Sequence, residues 1–158
     1  MKKKLLIWTP VVLIVIFALL QLTNPPRTNP PVVNDMAATN PPSAEVATLL
    51  RAACYDCHSY ETKWPLYSKI APISWQVADD VVEGRKNLNF SDWPTDPIRI
   101  AKRLENISDE IDNHEMPPPK YLLMHPEARL TDAQRKTIMD WTGATASKLR
   151  SVAVTTNQ

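Results

Sequence analysis

Cys54-Tyr55-Asp56-Cys57-His58 puts two thiols and an imidazole within five residues, and no other stretch constrains the chain as much. The spacing is that of a c-type haem attachment site. Each thiol adds across one vinyl group, the two-residue gap brings both thiols to one porphyrin edge, and the adjacent imidazole approaches the iron from one face. These are the only cysteines in 158 residues, so neither has another disulfide partner in the chain. Three plainer readings compete. A dithiol redox site wants a β-α-β pattern and thiols at a helix start, and no such pattern surrounds the pair. A structural zinc site needs two more ligands, of which His114 and His125 supply part at most. A disulfide leaves His58 without a role. Haem is the reading that uses all three side chains.

The amino terminus sets the expected topology. Lys2, Lys3 and Lys4 precede an apolar run from residue 5 to residue 22, broken only by Thr9, Pro10 and Gln21. As a helix that run rises about 27 Å, close to the roughly 30 Å hydrocarbon core of a bilayer. The sequence therefore predicts a single-pass anchor in a bacterial inner membrane, lipid-bound through residues 5–22, with its lysines in the cytoplasm and the haem domain on the periplasmic side. The alternative is a cleaved signal and a soluble periplasmic protein, although Thr23-Asn24-Pro25-Pro26-Arg27 lacks a small-x-small cleavage pattern. Residues 23–42 hold six of the chain's 15 prolines and four asparagines. Such a composition reads as a solvated, semi-rigid spacer reaching up to roughly 60 Å. The expected division is thus anchor or signal at 1–22, linker at 23–42, haem domain at 43–149 and a frayed polar tail at 150–158.

Charge is nearly balanced, with 18 basic and 17 acidic residues; setting aside the three lysines of the first 22 leaves 15 against 17. Nothing in that balance attracts nucleic acid.

Helical periodicity runs through the remainder. Ser43 is an N-cap candidate, and Val46, Leu49, Leu50 and Ala53 then form one apolar face ending at the cysteine motif. Trp64, Pro65, Leu66 and Tyr67 follow in a loop where Trp64 and Tyr67 are candidates to wall the haem or reach a propionate, beside ordinary core packing. The carbonyl of Pro65 or Pro72 is the expected acceptor for the second ring nitrogen of His58. A second helix is expected over 73–88, weakened at Gly84, which allows close approach of backbone to porphyrin or to another helix. Arg85 is a candidate to grip a propionate with two bonds, against an equal expectation of a solvated arginine. Phe90 and Trp93 read as plugs in a turn. A third helix is expected over 97–112, with Ile100, Leu104, Ile107 and Ile111 as its buried stripe, and a last one capped by Thr131 and Gln134 that packs on the first.

Glu115-Met116-Pro117-Pro118-Pro119 places a thioether ahead of three prolines that stiffen the backbone. Such a methionine presents sulfur to the open side of a haem iron and raises its reduction potential relative to a second histidine. Met116 leads the candidates for that position, with His125, His114, Met124 or an open site behind it.

Taken in order, Cys54 to His58, Trp64-Pro65-Leu66-Tyr67, Ala71-Pro72-Ile73-Ser74-Trp75, Leu88-Asn89-Phe90-Ser91-Asp92-Trp93 and Met116-Pro117-Pro118 make the chain resemble the bacterial haem-binding domain family within the single-haem cytochrome c superfamily. The resemblance covers residues 46–141. It implies an all-α, cytochrome c-like domain around one haem c, thioether-linked through Cys54 and Cys57, with His58 as proximal and Met116 as distal ligand. The expected function is transfer of one electron between membrane-associated or periplasmic redox proteins, more a carrier than a catalyst. The alternatives are a haem peroxidase and a gas-reactive or sensor protein whose distal ligand is displaceable.

Overall fold

The computed structural model describes the backbone of residues 2–156 and the side chains of residues 8–155. Its regular elements are all helical: α1 Lys2–Leu20, α2 Met36–Thr39, α3 Ala44–Ala53, α4 Tyr55–His58, α5 Ile73–Asn87, α6 Pro97–Asp112, α7 Pro119–Leu122 and α8 Asp132–Thr156, with short 3-10 turns at Gln21–Thr23, Leu66–Lys69 and Pro126–Ala128.

The helix starts follow local chemistry. Ser43 Oγ accepts from Val46 N (3.2 Å) at the head of α3, and Asp96 accepts from Arg99 N (2.8 Å) at the head of α6, where Pro97 takes the first turn. Thr131 and Gln134 form the expected reciprocal cap of α8: Gln134 N donates to Thr131 Oγ1 (3.3 Å) and Thr131 N to Gln134 Oε1 (2.9 Å). The stripe Ile100, Leu104, Ile107 and Ile111 is buried, joined by Ala101. It packs chiefly along α8, which also touches α3. The helix meant to close on the first helical face therefore does so while making its main pairing with α6. It continues through Thr156, so the segment expected to fray is helical as far as the description extends; residues 157 and 158 lie outside it.

One core unites α2, α3, α4, α6 and α8. Phe90 is fully buried, stacks on Tyr55 (centroids 4.9 Å) and on Trp93 (5.9 Å), and lies in one cluster with Met36, Leu50, Leu104 and Ile138. Each such side chain contributes roughly 1.5–3 kcal/mol. The plugs anticipated at 90 and 93 are thus the centre of the packing between turn and motif.

Two expectations about the amino-terminal third are corrected. Among the described residues, no helix is long and apolar enough to cross a membrane, which removes the single-pass anchor. The physical reason lies at the junction. The α-helix stops at Leu20, so its apolar part from Leu5 rises only about 24 Å. Gln21 then turns onto the domain, accepting from Ala71 N (2.9 Å) and donating to Ala71 O (3.3 Å). The side chains of Lys2, Lys3 and Lys4, on which the expected orientation rested, lie outside the described residues.

The second correction concerns the spacer. Residues 24–42 run as a strap along the domain. Val33 N and Asn34 N donate to Ser91 O (2.9 and 3.1 Å), Met36 N to Phe90 O (2.9 Å) and Trp93 N to Asn34 O (3.0 Å). Asn29 Nδ2 reaches Thr62 O (2.9 Å) and Asn34 Nδ2 reaches Trp93 O (2.7 Å), while Trp93 Nε1 donates to Asn40 Oδ1 (2.9 Å). The asparagine amides pair with loop carbonyls, and Met36 supplies the apolar anchor that proline-rich composition concealed.

Candidate haem site

The motif is one helical turn set against α5. Cys54 ends α3, its N–H donating to Leu50 O, and its carbonyl then accepts from Cys57 N (3.2 Å) and His58 N (2.9 Å) to form α4. The two helices approach so closely that a Cβ built on Gly84 meets Cys57 O at 2.5 Å. Only hydrogen in place of a side chain permits that contact. Of the two roles open to Gly84, the structure shows the helix-helix approach.

That approach carries His58 to its acceptors. Nδ1 lies 2.9 Å from Gly84 O and 3.1 Å from Leu88 O, so it bears the proton and donates to carbonyls at the end of α5. Neither Pro65 nor Pro72 serves, which corrects the expected acceptor. Burial, opposed by these backbone bonds, holds the imidazole pKa below its ordinary value. The result is a neutral ring with its Nε2 lone pair unprotonated, the state a metal ligand requires.

Both cysteines are free and half-buried. Burial pushes Cys54 up to about 12 and Cys57 to about 11, the former helped by Cys57 and the latter by Asp80 and Asp56. They are thiols at neutral pH. A dithiol redox site works through a depressed thiolate, the opposite of what this environment produces. Among the described residues, no three His, Cys, Asp or Glu side chains gather so as to hold a metal ion.

Beside the motif opens a cleft of about 680 Å³ lined by Arg51, Ala52, Asp56, Trp64, Tyr121 and His125 among others. Trp64 Nε1 is buried there without a hydrogen-bond partner. An orphaned donor of this kind costs about 1–3 kcal/mol unless an acceptor arrives. Tyr121 Oη donates to Asp56 Oδ2 (2.8 Å), tying α7 to a residue between the two cysteines.

The other candidates fall in different places. Arg85 donates to Ser59 O (2.8 Å), Thr28 O (3.0 Å), Asn29 Oδ1 (2.9 Å) and Thr62 Oγ1 (3.0 Å) and covers the Tyr60 ring. Its guanidinium buckles strap and loop to α5, so here it grips protein rather than a carboxylate. Tyr67 Oη meets His125 Nε2 at 2.6 Å, and His125 Nδ1 meets Glu127 Oε1 at 2.9 Å, which occupies both ring nitrogens of that alternative ligand. His114 is exposed at a positive φ of 59°, its Nδ1 on Asp112 O (2.8 Å), and Met124 is 62 % exposed. Met116 is half-buried and clamped by its main chain: its N–H donates to Glu110 O (3.2 Å) and its carbonyl accepts from Arg135 (3.2 Å), which also holds Ile111 O (3.1 Å).

Neutral thiols, an imidazole with Nε2 unprotonated and a buried donor lacking an acceptor form a donor set suited to haem. Comparison with known families accords with it. Residues 15–144 match the haem-binding domain family, and with that much of its length matched the chain belongs to this family. Its cofactor is haem. No curated protein and no solved structure matches the chain.

Proposed function

We propose that the chain is a single-haem c-type cytochrome with a cytochrome c-like fold, carrying one electron between redox proteins. The observation that supports this most is His58, which follows two un-ionised thiols and whose Nδ1–H is committed to Gly84 and Leu88. When bound, haem supplies a reversible ferric-ferrous couple. Cys54 and Cys57 would provide the thiols for thioether links, and His58 Nε2 would hold the iron. Met116 would be the second residue to hold the iron, because both its N–H and its carbonyl are held, which fixes where the thioether starts. Trp64 Nε1 would donate to a propionate and so orient the cofactor. Near-zero net charge favours weak, transient contact with partners, and thioether formation implies assembly outside the cytoplasm.

The test is acid-acetone extraction of protein matured with cytochrome c assembly machinery, followed by a pyridine haemochrome spectrum. Colour retained on the polypeptide, and lost in the Cys54→Ala, Cys57→Ala double variant, supports covalent haem c. Colour that extracts completely overturns it. Carbon monoxide added to the reduced protein separates the carrier from a gas-reactive protein, since slow binding is expected of a haem with two protein ligands and immediate binding is not.

A further inference from the structure

Tyr67, His125 and Glu127 form an ordered hydrogen-bond series next to the motif, and the electron-carrier reading makes no use of it. We propose that Tyr67 is a redox-active tyrosine that gives up one electron while passing its phenolic proton to His125. Oxidising a phenol raises its acidity so far that the proton must leave with the electron, and a base already in hydrogen-bond contact takes it in the same step. Nε2 of His125 stands 2.6 Å from the hydroxyl.

The rest of the series fixes the direction of transfer. Glu127 Oε1 lies 2.9 Å from Nδ1, so that nitrogen carries the proton and Nε2 offers its lone pair to Tyr67. The Glu127 carboxyl is held below the usual range, first by its own backbone N–H and then by His125, so it stays anionic and stabilises the imidazolium that forms. Tyr121 stacks on His125 with centroids 4.0 Å apart and planes 11° from parallel, and this fixes the ring orientation. Tyr121 is itself bonded to Asp56, so the series is tied to the haem motif. Burial, followed by the charge of Asp56, keeps Tyr67 a neutral phenol in its resting state.

The step balances simply. A high-potential one-electron acceptor gains the electron, the Tyr67 O–H bond breaks, an Nε2–H bond forms on His125, and a neutral tyrosyl radical faces an imidazolium paired with Glu127. Reduction reverses each change. The proposal requires that His125 not bind the iron, and both of its ring nitrogens are taken by Tyr67 and Glu127.

The test uses the haem-loaded protein with photogenerated ruthenium(III) tris-bipyridine as the acceptor, freezing and electron paramagnetic resonance. Wild type is expected to give a tyrosyl signal that Tyr67→Phe removes. His125→Phe keeps the stack on Tyr121 but lacks the base, and should slow radical formation by about a hundredfold. The haem signal in the same spectra reports the cofactor separately, and circular dichroism checks folding. A signal undiminished in Tyr67→Phe, or formed at the wild-type rate in His125→Phe, overturns the proposal. Should either variant fail to fold, wild type decides alone: radical formation severalfold slower in heavy water is expected, and equal rates overturn it.

Discussion

Gly84→Ala puts the geometry beneath the haem motif to a quantitative test. The added methyl carbon would sit 2.5 Å from Cys57 O, 3.0 Å from Cys57 C and 3.1 Å from Cys57 Cβ, where ordinary contact begins at 3.4 Å. The two closest atoms are backbone, so no rotamer relieves the clash, and α5 must withdraw from α4 by about 1 Å. Overpacking of this kind costs about 1–3 kcal/mol, and alanine's helix preference returns only about 0.5–1 kcal/mol. The same displacement stretches the His58 bond to Gly84 O, worth about 1 kcal/mol more. A net loss of about 2 kcal/mol is expected in urea unfolding followed by circular dichroism. Gly143→Ala is the control: nothing lies within 4 Å of its added carbon, so it should stabilise by up to about 1 kcal/mol. Equal effects from the two substitutions would refute the argument that α4 and α5 are fitted through a missing side chain.

Other perturbations read different parts of the molecule. Arg85→Leu should cost about 2 kcal/mol and expose residues 24–40 to hydrogen exchange, because four acceptors lose their donor; unchanged exchange in the strap would contradict the buckle. The haem-free chain should lose stability above pH 9.0, where the unfolded cysteines ionise while the folded ones remain protonated up to about 11 and 12. Thioether formation should abolish that loss, as thermal melts across pH would reveal. At the other end, the His58 pKa lies below 6.5, so the unfolded chain binds the extra proton and stability falls as pH drops from 6.5 through the lowered value; His58→Gln should flatten this limb. Trp64→Phe should destabilise the loaded protein more than the haem-free one in paired melts, since only the loaded form gives Nε1 an acceptor.

What the sequence disclosed was whatever is written in side-chain type at short range. The caps at Ser43 and Thr131 and the stripe from Ile100 to Ile111 are local signals, and the helices they mark fall where periodicity puts them. The His58 acceptors lie 26 and 30 residues away and are carbonyls, which every residue possesses, so no side chain announced them. Gly84 hinted at a close approach without saying to what. Arg85 looked equally suited to a propionate or to solvent, and it serves neither, because its partners are brought in by a strap whose prolines suggested solvation. Proximity in sequence makes His125 a candidate metal ligand, whereas its partner Tyr67 is 58 residues distant.

The Gln21 to Ala71 pairing has a mechanical result. Two bonds from one amide to both polar atoms of a single peptide residue resist twisting as well as pulling, so they hold the end of α1 against the domain. The anisotropy decay of Trp8 should accordingly report tumbling of the whole body, and Gln21→Ala should release a fast component.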